Sequence, residues 1–148
     1  MGARRSGREA ALQMLFQLEA SGVTPDRAVE LFWRTNEDAD PEGRPYADEI
    51  LRGVAESLDA IDKRVVAASQ NWRLERMSRV DRNLLRLGTW ELMFRTEVPR
   101  AVILDEAVEL AKSFGTDESS GFVNGVLDRI ATDIGRKDQA RPSNDPQR

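Results

Sequence analysis

Arg4, Arg5 and Arg8 place three positive charges within the first eight residues. Guanidinium groups grip phosphates through two parallel hydrogen bonds and stack on bases, so this cluster points to a polyanion. Phe16, Phe114 and Phe122 are aromatic side chains that can either stack on a base or fill a core, and their helical spacing also suits a core. Other chemistry is scarce. With no cysteine and no histidine, the chain lacks thiolate nucleophiles, imidazole bases, disulfides and the ligands of zinc, haem and iron–sulfur sites. No Gly-x-Gly pair and no Gly-Lys-Ser/Thr loop is present to cradle a nucleotide. The adjacent acids Asp105–Glu106 and Asp117–Glu118 stand near helix starts, where carboxylates favour the positive end of the dipole. Hydrolysis by paired carboxylates needs two acids flanking one cleft, and nothing in a chain of short helices points to one. The expectation is therefore binding without catalysis, with no cofactor and no metal.

The elements that must position these residues are helices. Apolar side chains recur every three or four residues and period-two alternation is almost absent, so the chain reads as all-α. About seven helices are expected, in two three-helix-like halves sharing one compact core. The first runs from about Arg5 to Ala20 and stops at Gly22. Thr24 and Pro25 start the second, with Ala28, Leu31, Phe32 and Trp33 directed inward. Asn36 to Pro45 reads as a loop. Tyr46, Ile50, Val54 and Leu58 mark the third helix, and Asp59 is a candidate cap for the fourth, which carries Ile61, Val65 and Ala68. After a break near Gln70 to Met77, Ser78 and Asp81 give a capping signature for the fifth, with Val80, Leu84, Leu87, Leu92 and Met93 inward. Pro99 opens the sixth, which ends at Gly115, a candidate left-handed cap. Phe122, Val126, Leu127, Ile130 and Ile134 define the seventh, and Gly121 with Gly125 suits a tightly approaching neighbour backbone. One domain is expected over residues 1–136, with subdomains of about 1–75 and 76–136 and a disordered tail at 137–148.

The net charge of -4 averages segments of opposite sign. Residues 26–62 carry eleven acids against four arginines, whereas residues 71–100 carry seven arginines against four acids. A local basic face can thus bind phosphate on an acidic protein, or the arginines can simply solvate helix faces. No stretch approaches the roughly 18 apolar residues of a membrane span, and no signal peptide is evident, so a cytoplasmic protein is expected.

Three blocks together resemble one family, the bacterial transcription antitermination factor NusB. They are Arg4-Arg5-Ser6-Gly7-Arg8-Glu9-Ala10-Ala11-Leu12-Gln13, the stretch from Val98-Pro99 through Ala101 to Lys112-Ser113-Phe114-Gly115, and Phe122-Val123-Asn124-Gly125-Val126-Leu127-Asp128. The resemblance spans essentially residues 3–135. It implies an all-helical protein, inactive alone, that binds the boxA element of nascent RNA together with NusE, a small-subunit ribosomal protein. The complex joins RNA polymerase and other Nus factors and suppresses premature termination during ribosomal RNA synthesis. By position, Arg4, Arg5 and Arg8 fall on the family's basic RNA-binding motif and Phe16 on an aromatic position close to RNA. Phe122 and Glu118 fall in a second RNA-contacting region, and Asp81 on an acidic position of the same surface. The chain departs from the family at Ser6 and Gly7, which interrupt the basic block, and at Glu118, which replaces a shorter acid.

Two other readings compete. The RNA-binding domain of a ribosomal RNA cytosine-5 methyltransferase looks similar, but that enzyme needs a cysteine-bearing catalytic domain. A self-associating helical scaffold could instead bury the arginines in a homodimer.

Overall fold

Helix-forming side chains with few interruptions give seven α-helices and no strand among residues 2–70 and 72–137, which the computed structural model describes. They are α1 (Ala3–Ser21), α2 (Pro25–Thr35), α3 (Arg44–Glu56), α4 (Leu58–Ala68), α5 (Arg79–Phe94), α6 (Arg100–Phe114) and α7 (Ser119–Asp133). The expected tail from residue 138 onward lies outside the described residues. No helix among those described is long and apolar enough to cross a membrane.

The chain divides into two units, Met1–Glu56 and Ser57–Arg148. The first holds α1, α2 and α3, with α1 packed mainly on α3. Its core is built from Ala11, Leu12, Met14, Ala28, Phe32, Ala47, Ile50 and Leu51. Gly22 ends α1 in a left-handed conformation (φ 66°) with its N–H on the Leu18 carbonyl, as its sequence position suggests. Thr24 caps α2 by accepting from the Arg27 N–H at 3.2 Å, with Pro25 in the first turn. In α2, Val29 joins the core while Leu31 and Trp33 are only half-buried, so the inward face is rotated from the expected one. The stretch read as a loop is partly ordered. Asp40 caps a single 3-10 turn at Pro41–Gly43, and α3 starts at Arg44, with Pro45 in its first turn where no intrahelical donor is required.

The second unit holds α4 to α7. A sequence boundary near residue 75 would group α4 with the first half, but α4 packs on α5 and α7. Ser57, rather than Asp59, occupies the N-cap of α4; Asp59 lies inside the first turn, where its charge suits the dipole. Ser78 caps α5, accepting from the Asp81 N–H at 3.1 Å. Leu84, Leu87 and Leu92 are buried as expected, whereas Val80 and Met93 are half-buried. Gly115 does not adopt the left-handed cap. Its backbone is extended (φ -103°, ψ -164°), and glycine is needed there for room, since a Cβ would come within 2.5 Å of Ser119 Oγ. Gly121 and Gly125 also differ from expectation, because none of the described residues lies within 4 Å of where their Cβ atoms would be.

Candidate nucleic-acid interface

In the first unit, Arg4 and Arg8 are four residues apart on α1 and therefore share a face. Both lie over the ring of Tyr46 on α3, with guanidinium carbons 5.1 and 5.7 Å from its centroid. Attraction to the ring face holds the two cations there. α1 can approach α3 this closely because of glycine: a Cβ on Gly7 would stand 2.9 Å from the Gly43 carbonyl oxygen and from Tyr46 Cβ. Ser6 donates to Asp40 Oδ2 at 3.0 Å. The two residues that interrupt the basic block thus have a structural reason, since this side of α1 faces the 3-10 turn rather than solvent.

Burial separates the three arginines. Arg4 and Arg5 are half-buried at the edge of the unit, whereas Arg8 is only 1% exposed. Nη1 of Arg4 is buried and has no hydrogen-bond partner among the described residues. Phe16 follows Arg5 by eleven residues, about three turns and roughly 16 Å along the same face of α1. It is half-buried and lines a cleft of about 400 Å³ with Gln13, Gln17, Leu31, Phe32 and Asn36. An apolar ring among side-chain amides can take up a flat, hydrogen-bonding group.

In the second unit, Glu118 is exposed at the N-cap of α7, and Phe122 follows one turn later, half-buried. The Phe122 ring meets that of Trp72 edge-to-face, with centroids 6.1 Å apart and planes at 67°. Asp81 is half-buried in the first turn of α5, and its Oδ1 is buried with no hydrogen-bond partner among the described residues. The seven residues singled out in sequence therefore form two sets, Arg4, Arg5, Arg8 and Phe16 in one unit and Asp81, Glu118 and Phe122 in the other.

The arginine-rich stretch 71–100 is largely occupied with the fold. Arg82 donates to the Leu74 and Met77 carbonyls at 2.9 and 2.8 Å. Arg86 makes a two-pronged bridge to Asp62 at 2.9 and 3.1 Å. Arg95 lies over the Trp90 ring at 5.3 Å. Arg100 reaches Asp128 Oδ1 at 2.8 Å, Thr132 Oγ1 at 3.1 Å and the Arg136 carbonyl at 2.7 Å. Arg136 in turn donates to the Leu92 and Val98 carbonyls. Burial, with Arg100 nearby, lowers the Arg136 pKa from its ordinary value. Sequence reasoning misses two residues, Tyr46 and Trp72. Tyr46 has the spacing of core packing, and Trp72 falls in a break, although its neighbours Arg73 and Arg76 give the basic-aromatic pattern of nucleic-acid grooves.

Among the described residues no group of three or more acids could hold a metal ion. The fold and these surfaces define an all-helical binding protein that displays arginine and aromatic groups. Residues 5–132 match the model of the NusB family. The transcription antitermination protein NusB of Sorangium cellulosum (strain So ce56) is 67% identical over 141 residues, 95% of this chain and 100% of that protein. Among solved structures, T. maritima NusB is 40% identical with a TM-score of 0.77, covering 87% of this chain and 90% of that one. A chain in the crystal structure of antitermination factors NusB and NusE in complex with dsRNA shares the fold, with 24% identity and a TM-score of 0.80 over 88% of this chain and 97% of that one. The chain belongs to the NusB family.

Proposed function

We propose that this protein is a cytoplasmic, non-enzymatic antitermination factor. With NusE, it binds boxA in nascent ribosomal RNA and joins the elongating RNA polymerase with other Nus factors. The observation that carries this reading is the family match over residues 5–132, together with a relative named as a transcription antitermination protein that aligns over its whole length. The geometry supports it through surfaces suited to single-stranded RNA. In this assignment Arg4 and Arg5 hold phosphates, and Phe16 and Phe122 receive unstacked bases. Arg8, buried against Tyr46, packs within the unit rather than serving as a phosphate ligand. Glu118 and Asp81 accept hydrogen bonds from bases or from the partner protein.

A modest basic patch on an acidic chain makes for weak binding alone, and NusE supplies the remainder through linkage. Each of the two ligands raises the other's affinity by the same factor. Fluorescence anisotropy of a labelled boxA RNA, with and without NusE and beside a scrambled strand of equal length, tests this. NusE should tighten binding to boxA but not to the scrambled strand. Equal binding to both strands, or to neither, overturns the reading.

A further inference from the structure

Trp72 is 54% exposed, although a side chain of its size and polarity is usually buried. It is also held in place. Ser69, itself 3% exposed, places its hydroxyl 3.2 Å from the Val66 carbonyl and 3.1 Å from that of Trp72, and the Trp72 N–H donates back to the Ser69 carbonyl at 3.2 Å. Between them Gln70 takes a left-handed backbone (φ 51°), a conformation that costs energy in a residue other than glycine and that clusters at functional sites. The turn thus presents the indole outward while Phe122 supports it from the side.

Beside this aromatic corner lies a cleft of about 330 Å³ whose lining includes Gln70, Trp72, Gly121, Phe122, Gly125 and Arg129. That volume is at the small end of ligand sites, roughly 300 to 1,000 Å³. Gly121 and Gly125 face open space, so no packing among the described residues explains two glycines in a helix that alanine would stabilise. Their bare backbone keeps the floor of the cleft low. Arg129, one turn beyond Gly125, has a side chain 57% exposed and is paired with Asp133 at 3.1 Å. Exposed pairs of this kind are weak and can yield to a phosphate. Arg73 and Arg76, both exposed, follow Trp72 in the chain.

We propose that this cleft receives one unpaired RNA base. The base stacks on Trp72 over the Gly121–Gly125 floor, Gln70 lies within reach of its edge, and Arg129 takes a neighbouring phosphate. The inference rests on the RNA-binding reading above and adds Trp72 and Arg129 to it as determinants of affinity. Stacking is favoured over docking of a protein segment because the corner combines an oriented indole with the Arg129 cation in the cleft lining, the pairing used by single-strand binders.

The test measures binding of the labelled boxA RNA, with NusE present, to the full chain and to Trp72→Ala, Trp72→Phe and Gly125→Gln. Trp72→Ala should weaken binding about tenfold, within the range for loss of one base–aromatic stack. Trp72→Phe should retain most of the affinity, and Gly125→Gln, whose Cβ has open space around it among the described residues and whose side chain would occupy the floor, should weaken it. RNA should quench tryptophan fluorescence in the unaltered chain, and less so in Trp72→Phe. If the unaltered protein binds and Trp72→Ala binds equally well, the cleft is not a base site, while the antitermination reading stands. If Trp72→Ala instead weakens binding of NusE in the absence of RNA, the cleft is a protein-docking surface and the inference fails. If the unaltered protein binds no RNA, both readings fall together.

Discussion

Two sets of arginines in this chain have the same side chain and opposite circumstances. Three of the four in α5 and α6 point into their own unit: Arg82, Arg86 and Arg100 each make at least two hydrogen bonds to carbonyls or a carboxylate. At the start of α1, Arg4 rests on an aromatic ring, with its Nη1, like Nε of Arg100, buried and without a hydrogen-bond partner among the described residues. Counting charge alone therefore overstates what the most basic segment offers a polyanion: Arg82, Arg86, Arg95 and Arg100 are engaged within the fold, whereas Arg73, Arg76 and Arg79 are exposed.

Substitutions can sharpen or break that contrast. Arg100→Ala should have the largest effect, a loss of about 3 kcal/mol in urea unfolding, because it orphans the Asp128 and Arg136 carbonyls near a 7% exposed guanidinium. The salt dependence of RNA binding should stay as it was, and a changed slope would move Arg100 to the binding set. Arg8→Ala should lower stability by about 1 to 2 kcal/mol, since it removes a buried cation from the Tyr46 ring, again with little change in slope. Arg4→Ala with Arg5→Ala should do the reverse. Stability should fall by less than about 1 kcal/mol, while the slope of log affinity against log salt drops by about 0.7 for each phosphate no longer held. An unchanged slope would show that neither residue touches phosphate. Smallest of all, Gly121→Ala should raise the unfolding free energy by about 0.5 to 1 kcal/mol, as expected for an exposed helix position. Gly7→Ala, pressed against Gly43 and Tyr46, should instead destabilise the first unit.

Helix number, the α2 and α5 caps and the end of α1 are legible in the sequence because each rests on local chemistry: a hydroxyl at the cap, a proline in the first turn, a glycine that can turn left-handed. What stays hidden depends on neighbours distant in sequence. Gly115 carries the signature of a left-handed cap, and only the proximity of Ser119 reveals that the glycine is there for space. Arg8 has the type and spacing of a surface cation, and its burial requires knowing that Tyr46 lies across from it, since charged residues seldom go inside unless a partner receives them. For Trp72 the difficulty is the opposite one. An isolated tryptophan reads as core, and its exposure follows from the turn that Ser69 and Gln70 impose.

The hydrogen bonds from Arg136 to the Leu92 and Val98 carbonyls bear on the order in which the molecule is made. A ribosome delivers the first 56 residues early, and everything that packs within that unit is then available to it. The second unit differs, because a carbonyl in the last turn of α5 and one between α5 and α6 await a guanidinium some forty residues downstream. Its closure must therefore follow the emergence of residue 136, leaving the second unit the later to mature on a chain still being synthesised.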